Sequence, residues 1–256
     1  MKLDNKNIII TGGAGGIGSS TVRTLLNSGA NVGVFDRDKK GLDLLKKSLT
    51  DSHKKKIYFY NVNINKFDEV KKAINNFFEK RKTIDGLINN AAVLIDKPLI
   101  GFNKGKLYKY SLQDWKETLS SNLDGYFYVT REVVEKMTKN FTKGVIINVS
   151  SISSAGNKGQ TAYSATKSAI NALTVTWAQE LSFLGIRVAG IAPGITDTKM
   201  PKSSLNKNLL KTMINKTPAR RMGTTKEIAH GIIFIFENNF FCGRTLELDG
   251  GLRMWW

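Results

Sequence analysis

The sequence predicts an α/β fold, a doubly wound parallel sheet of seven strands with helices on both faces. Three observations lead there. Short apolar runs alternate with longer amphipathic stretches along all 256 residues, the order of strand and helix that builds a parallel sheet. The apolar runs are almost unbroken, as burial on both faces of a sheet requires. A glycine-rich turn joins the first apolar run to the first amphipathic stretch.

The elements follow in order. Residues 6–11 (KNIIIT) form the first strand. Residues 15–28 form a helix, because Ile17, Val22, Leu25 and Leu26 fall roughly on one face at its 3.6-residue period. Residues 31–35 (NVGVF) are the second strand and 40–49 the second helix. The third strand is 57–62 (IYFYNV), followed by a helix over 67–80. The fourth strand is 84–89 (IDGLIN); 112–140 is mostly helical; the fifth strand is 145–149 (VIINV). A long helix over 160–183 precedes the sixth strand, 187–191 (RVAGI). Residues 226–236 are a helix and 245–248 a short last strand. No linker, repeat or low-complexity block divides the chain, so residues 1–256 are expected to form one domain. Ligands of such sheets bind outside the carboxyl ends of the strands, where strand order reverses.

A chain that is 41% hydrophobic and 23% charged can bury a substantial core, which excludes disordered and collagenous classes. Cys242 is the single cysteine, so an internal disulfide is impossible, and no metal site is expected from it or from the widely separated His53 and His230. No run approaches the roughly 18 apolar residues of a membrane helix, and the N-terminal MKLDNKNIIITGG is too polar for a signal peptide. A cytoplasmic protein without membrane contact is expected. The formal charge of +18 raises nucleic acid as a partner. However, 30 of the 39 basic residues are lysine, 22 residues are asparagine, and the lysines are scattered. Both residues have A-rich codons, so an AT-rich genome accounts for the excess, and nucleic-acid binding is not expected.

Chemistry concentrates at the predicted strand ends. The stretch Thr11-Gly12-Gly13-Ala14-Gly15-Gly16-Ile17-Gly18 follows the first strand and opens the first helix. Glycines there allow a tight turn and the approach of a pyrophosphate to the helix N-terminus, whose N–H groups and positive dipole end stabilise an anion; alone, the stretch also reads as an ordinary turn. Asp36 ends the second strand, where a carboxylate can accept from the ribose hydroxyls of NAD and repels the 2′-phosphate of NADP. It also reads as a helix N-cap, and the adjacent Arg37 could take a phosphate. Tyr163 and Lys167 sit at i and i+4 and share a helix face, so an ammonium there can lower the phenol's pKa and ready it for proton transfer. Alone, the pair also reads as an ordinary surface pair. Ser150 and Ser151 end the fifth strand, where a hydroxyl could hold a substrate carbonyl; Asn122 lies inside a predicted helix; Asn89-Asn90-Ala91-Ala92 ends the fourth strand and Pro193-Gly194 follows the sixth.

In order and spacing, TGGAGGIG, NNAA, SNLDG, INVSS, YSATK and IAPG resemble the short-chain dehydrogenase/reductase family along essentially the whole chain. Within it, INVSSISSAGNKGQTAYSATK, IAPGITDTKM, TPARRMGTTKEIA and LELDGGLRM look most like bacterial 3-oxoacyl-acyl-carrier-protein reductases. The resemblance implies a single-domain Rossmann fold and hydride transfer between a nicotinamide cofactor and a ketone or secondary alcohol. Tyr163 is then the proton donor or acceptor. Lys167 lowers its pKa and holds the nicotinamide ribose. Ser151 polarises the carbonyl, with Ser150 as second choice, and Asn122 holds a water in a relay to Lys167. Cofactor contacts are implied at Gly12, Gly16, Ile17, Gly18, Asp36, Asn61, Val62, Asn89, Ala91, Pro193, Gly194, Thr196 and Thr198, besides Tyr163 and Lys167. NAD(H) is the expected cofactor and NADP(H) the alternative. Ala92 and Asn61 replace the family's usual glycine and aspartate, and residues 95–110 are longer than its commonest loop.

The expected substrate is a 3-oxoacyl thioester of acyl carrier protein or coenzyme A, with another alcohol, sugar or steroid ketone as the alternative. A non-catalytic dinucleotide-binding regulator is the second class, against which the intact Ser151, Tyr163, Lys167 and Asn122 speak. A lid is expected over 195–221. A homotetramer is implied, packed through long helices such as 160–183, with the Trp255-Trp256 end at subunit contacts.

Overall fold

A computed structural model of the chain describes residues 1–198 and 207–252. Trp255, Trp256 and stretch 199–206 of the expected lid lie outside the described residues. Seven strands form one parallel sheet: β1 (Asn7–Thr11), β2 (Asn31–Asp36), β3 (Ile57–Asn61), β4 (Gly86–Asn89), β7 (Val145–Val149), β8 (Arg187–Pro193) and β9 (Thr245–Leu248). Their order across the sheet is β3-β2-β1-β4-β7-β8-β9. The direction of winding therefore reverses between β1 and β4, which pair in register from Ile8–Gly86 to Ile10–Ile88. The expected seven-stranded Rossmann sheet is present.

Alternation along each strand divides its side chains between two cores. Ile8 and Ile10 of β1 face one way, onto Val22 and Leu25 of α1 (Gly16–Asn27) and Ile232 and Phe236 of α9 (Thr225–Glu237). Ile9 faces the other way, into a core with Ile74 and Phe77 of α4 (Phe67–Arg81) and Val133 of α6 (Gly125–Lys139). Each such side chain, taken fully from water, contributes about 1.5–3 kcal/mol. This two-sided burial is why the strands read as unbroken apolar runs. The other helices are α2 (Lys39–Lys47), α3 (Asp51–Lys54), α5 (Leu112–Leu119), α7 (Thr161–Glu180) and α8 (Lys207–Lys216), the last within the expected lid segment.

Two features depart from the sequence reading. The helix expected over 112–140 is interrupted: α5 and α6 are joined by one π turn, Ser120–Asp124, closed by the Gly125 N–H on the Ser120 carbonyl. The wider turn changes the phase of the helix at Asn122, a device common at functional sites. Segment 95–110, read as a long loop, contains an antiparallel hairpin of β5 (Ile100–Asn103) and β6 (Lys106–Lys109). Its two turn residues, Lys104 (φ 50°) and Gly105 (φ 77°), both adopt left-handed backbone, the geometry that matches strand twist in a two-residue hairpin. The hairpin is largely exposed, so no buried face imposed a readable period on it.

Candidate active site

The loops leaving β1 and β4 are laced together at the switch point. The Asn90 amide donates to the carbonyls of Thr11 and Gly12, both at 3.0 Å, and the Thr11 hydroxyl accepts from the N–H groups of Asn90 (3.0 Å) and Ala91 (3.1 Å). Gly12 has φ +66°, and a Cβ there would lie 2.7 Å from the Ala91 Cα. A Cβ on Gly18 would fall 2.1 Å from the Gly12 carbonyl oxygen. Helix α1 starts at Gly16; its N-cap, Gly15, has no side chain to satisfy the first-turn N–H groups, and that turn holds no acid. An uncapped, positive helix end therefore faces a cleft of about 660 Å³ lined by Gly12, Gly16, Ile17 and Gly18. Thr198 lines the same cleft, and its methyl group occupies the space a Cβ on Gly16 would need. These donors and this volume fit the pyrophosphate and body of a dinucleotide.

Asp36 also lines the cleft. Its carboxylate accepts from the Ala14 N–H and the Asp38 N–H, both at 2.9 Å, so it ties the end of β2 to the glycine loop. Asp36 is not the cap of α2; that is Asp38, which accepts from the Gly41 N–H at 3.0 Å. The Asn61 amide donates to the carbonyls of Asp36 and Arg37, both at 3.0 Å, and closes the ends of β2 and β3. Val62, Arg37, Ala91, Pro193, Gly194 and Thr196 line the cleft. Asn89 does not: its amide turns into the core, donating to Thr130 Oγ1 (2.8 Å) and Asn148 Oδ1 (2.9 Å).

The reacting groups of the sequence reading meet at the floor of this cleft. Tyr163 and Lys167 lie in the first two turns of α7, and Ser151 follows β7. Ser151 accepts from the Ser153 N–H at 3.1 Å, and its side chain lines the cleft together with the Tyr163 phenol. Ser150 faces α7 instead and donates to the Lys167 carbonyl at 3.1 Å. Burial pushes the Tyr163 phenol up to about 12; the neighbouring Ser151 hydroxyl pulls against this and the charge of Asp96 adds to it. Burial pushes the Lys167 amine down to about 7. Its Nζ donates to the Val149 carbonyl (2.7 Å) and to Tyr126 Oη (3.3 Å), and lies 5.6 Å from the Tyr163 ring centroid. The amine is thus seated behind Tyr163, and the phenol stands above its ordinary value rather than below it.

Asn122, in the π turn, clamps the loop after β4: Oδ1 accepts from the Val93 N–H (2.8 Å) and Nδ2 donates to the Val93 carbonyl (2.9 Å). The same amide reaches Thr166 Oγ1, next to Lys167, at 3.4 Å. Sequence reasoning named Thr11 only as the start of the glycine stretch and missed Tyr126, Asp96 and Asn148. Only Asn148 carried a signal, as a polar residue inside the apolar run VIINV.

A model of the short chain dehydrogenase family matches residues 6–209. The 3-oxoacyl-(acyl-carrier-protein) reductase of Thermotoga maritima is 35% identical over 255 residues, covering 98% of this chain and 99% of that protein. The reductase of the same name from Chlamydia trachomatis is 33% identical over 253 residues, 98% of each. Sorbitol-6-phosphate 2-dehydrogenase from Klebsiella pneumoniae is 31% identical over 274 residues, 98% of this chain and 97% of that protein. Among solved structures, 3-ketoacyl-(acyl-carrier-protein) reductase from Brucella melitensis complexed with NADH has a TM-score of 0.85 at 24% identity, covering 97% of this chain and 98% of that one, and shares the fold. With that family match joined to a tyrosine, lysine and serine gathered beside an uncapped helix end, the chain belongs to the short-chain dehydrogenase family of oxidoreductases.

Proposed function

We propose that the protein reduces 3-oxoacyl thioesters, carried by acyl carrier protein or coenzyme A, with a nicotinamide cofactor. The observation that carries this reading is the convergence of Ser151, Tyr163 and Lys167 on the cleft that also receives the uncapped end of α1. A dinucleotide held in the cleft would supply the hydride for the carbonyl carbon. Ser151 and Tyr163 donate to the carbonyl oxygen as charge develops on it. Tyr163, still protonated far above neutrality, delivers the proton, and Lys167 refills it through a relay that includes Asn122. Gly12, Gly16, Ile17 and Gly18 hold the pyrophosphate. Asp36, Asn61 and Val62 hold the adenosine, with Asp36 favouring NADH and Arg37 opposing it. Asn89 positions the β4 end from within the core, and Ala91, Pro193, Gly194, Thr196 and Thr198 would contact the nicotinamide and phosphates.

The relatives' names support the substrate class. Segment 195–221 is proposed as the lid over a single-domain catalytic unit. Phe127 and Val175, exposed on α6 and α7, support a tetramer packed through these helices. Among the described residues no helix is long and apolar enough to cross a membrane, in keeping with a cytoplasmic role. The likeness to sorbitol-6-phosphate 2-dehydrogenase favours a polyol as the second reading.

The test is oxidation of NADH and NADPH with acetoacetyl-CoA, a longer 3-oxoacyl thioester, sugars and a steroid ketone. The thioesters are expected to give the highest kcat/KM; a higher value for a sugar or steroid overturns the substrate class. Tyr163→Phe should lose about 100-fold or more in kcat and keep dinucleotide binding; a loss under about 10-fold removes Tyr163 from its role.

A further inference from the structure

Tyr126 is a buried titratable group that the proposed reaction does not use. It sits one turn after Asn122, in the first turn of α6, and none of its side chain reaches solvent. Its hydroxyl donates to the Val149 carbonyl at 3.0 Å and accepts from Lys167 Nζ at 3.3 Å. The Val149 carbonyl also accepts from Nζ, at 2.7 Å. Nζ stands 5.2 Å from the Tyr126 ring centroid and 5.6 Å from that of Tyr163. The amine is therefore held between two phenol rings, one from α6 and one from α7, at the end of β7.

Hydrogen-bond accounting gives this seat a purpose. A lysine ammonium has three N–H donors. Two are taken by Val149 and Tyr126, and Lys167 lines the cleft, so the third is available there. A neutral amine has two N–H groups and one lone pair. The Tyr126 hydroxyl gives its one proton to the Val149 carbonyl and so offers Nζ only a lone pair, as that carbonyl does. Two acceptors favour the three-donor ammonium over the neutral amine. The titratable groups that face Lys167 are Tyr126 from α6 and Tyr163 from α7; Asp96, in the loop after β4, acts on Tyr163.

We propose that Tyr126 is a positioning residue of this oxidoreductase: its buried hydroxyl, with the Val149 carbonyl, seats the Lys167 amine behind Tyr163 and stabilises its protonated form. The pH effect on catalysis rests on the roles given above to Tyr163 and Lys167; the seat itself does not.

Tyr126→Phe keeps the ring and removes only the hydroxyl, while Lys167 retains Val149. Two measurements on the full chain separate the questions. The first is an NMR titration of 13Cε-labelled lysines, with Lys167→Met to assign the signal. Loss of a hydrogen bond to the charged form should lower the Lys167 pKa by about one unit. The second is the pH profile of kcat/KM with acetoacetyl-CoA, whose fall at high pH should move down by a similar amount, with kcat reduced about 3- to 30-fold. An unmoved lysine titration in a folded Tyr126→Phe protein overturns the proposal and leaves Tyr126 a packing residue. A moved titration with an unmoved pH profile keeps the seat and overturns its share in catalysis. A moved titration with no turnover of any ketone overturns the oxidoreductase roles and leaves the seat standing.

Discussion

The Asn122 side chain closes two hydrogen bonds on the backbone of one residue, accepting from the Val93 N–H at 2.8 Å and donating to the Val93 carbonyl at 2.9 Å. It thereby replaces the strand neighbour that Val93 lacks beyond the end of β4. Asn122→Ala leaves both backbone groups without that partner, and stability should fall by about 1–3 kcal/mol. The urea midpoint should drop at unchanged m, and the KM values should rise because residues 92–94 border the cleft. Wild-type stability with a loss confined to kcat would show that Asn122 acts through the relay alone.

Asp36 carries the expected preference for NADH, and its bond to Ala14 changes how that is tested. Like charges about 4 Å apart at an effective dielectric near 20 repel by about 4 kcal/mol before relaxation. Arg37 opposes this, so a preference of about 10- to 100-fold in kcat/KM is expected. Asp36→Ala removes the charge and also cuts the anchor of the glycine loop, so it should weaken both cofactors. Asp36→Asn keeps an acceptor for Ala14 and should admit NADPH without that general loss. Equal use of both cofactors by the wild type sinks the assignment.

Lys167 makes stability depend on pH. Its folded pKa of about 7 lies below the ordinary lysine value. Between the two, the unfolded chain holds one more proton, so stability rises with pH by at most about 1.4 kcal/mol per unit. The cost of burying the charge is full below the folded pKa. Tyr163, whose folded pKa is about 12, works the opposite way only above about pH 10. Urea midpoints measured between about pH 7.5 and 9.5 should therefore rise in the wild type and stay flatter in Lys167→Met. Equal slopes would mean that the amine is hydrated.

Gly18→Ala should damage the cradle far more than Gly223→Ala. The first Cβ meets the Gly12 carbonyl at 2.1 Å, and that carbonyl is held by Asn90; the second meets nothing closer than 3.8 Å. A loss of about 1–3 kcal/mol in stability and of at least about 10-fold in dinucleotide affinity is expected for Gly18→Ala, against changes within about 0.5 kcal/mol for Gly223→Ala. Dinucleotide titration by fluorescence decides it; unchanged affinity in Gly18→Ala would show that the loop can shift.

The seven strands and their parallel winding are legible in the order of residues, because burial on both faces of each strand leaves an unbroken apolar run. The sequence also marked the glycine loop, Asp36 and the Tyr163–Lys167 spacing, because a turn, a strand end and a helix period are local properties. The hairpin at 100–109 left no such trace, since its exposed strands need no apolar pattern. Which polar atoms meet depends on packing between distant elements. The seat of Lys167 joins α6, α7 and β7; the Asn122 clamp joins a π turn to the loop after β4; Asn89, read as a cofactor contact, is turned into the core by Thr130 and Asn148. Tyr126 and Lys167 are 41 residues apart, and a hydrogen bond across that distance has no period. It exists because packing brings two helices together and leaves the end of β7 a carbonyl to share.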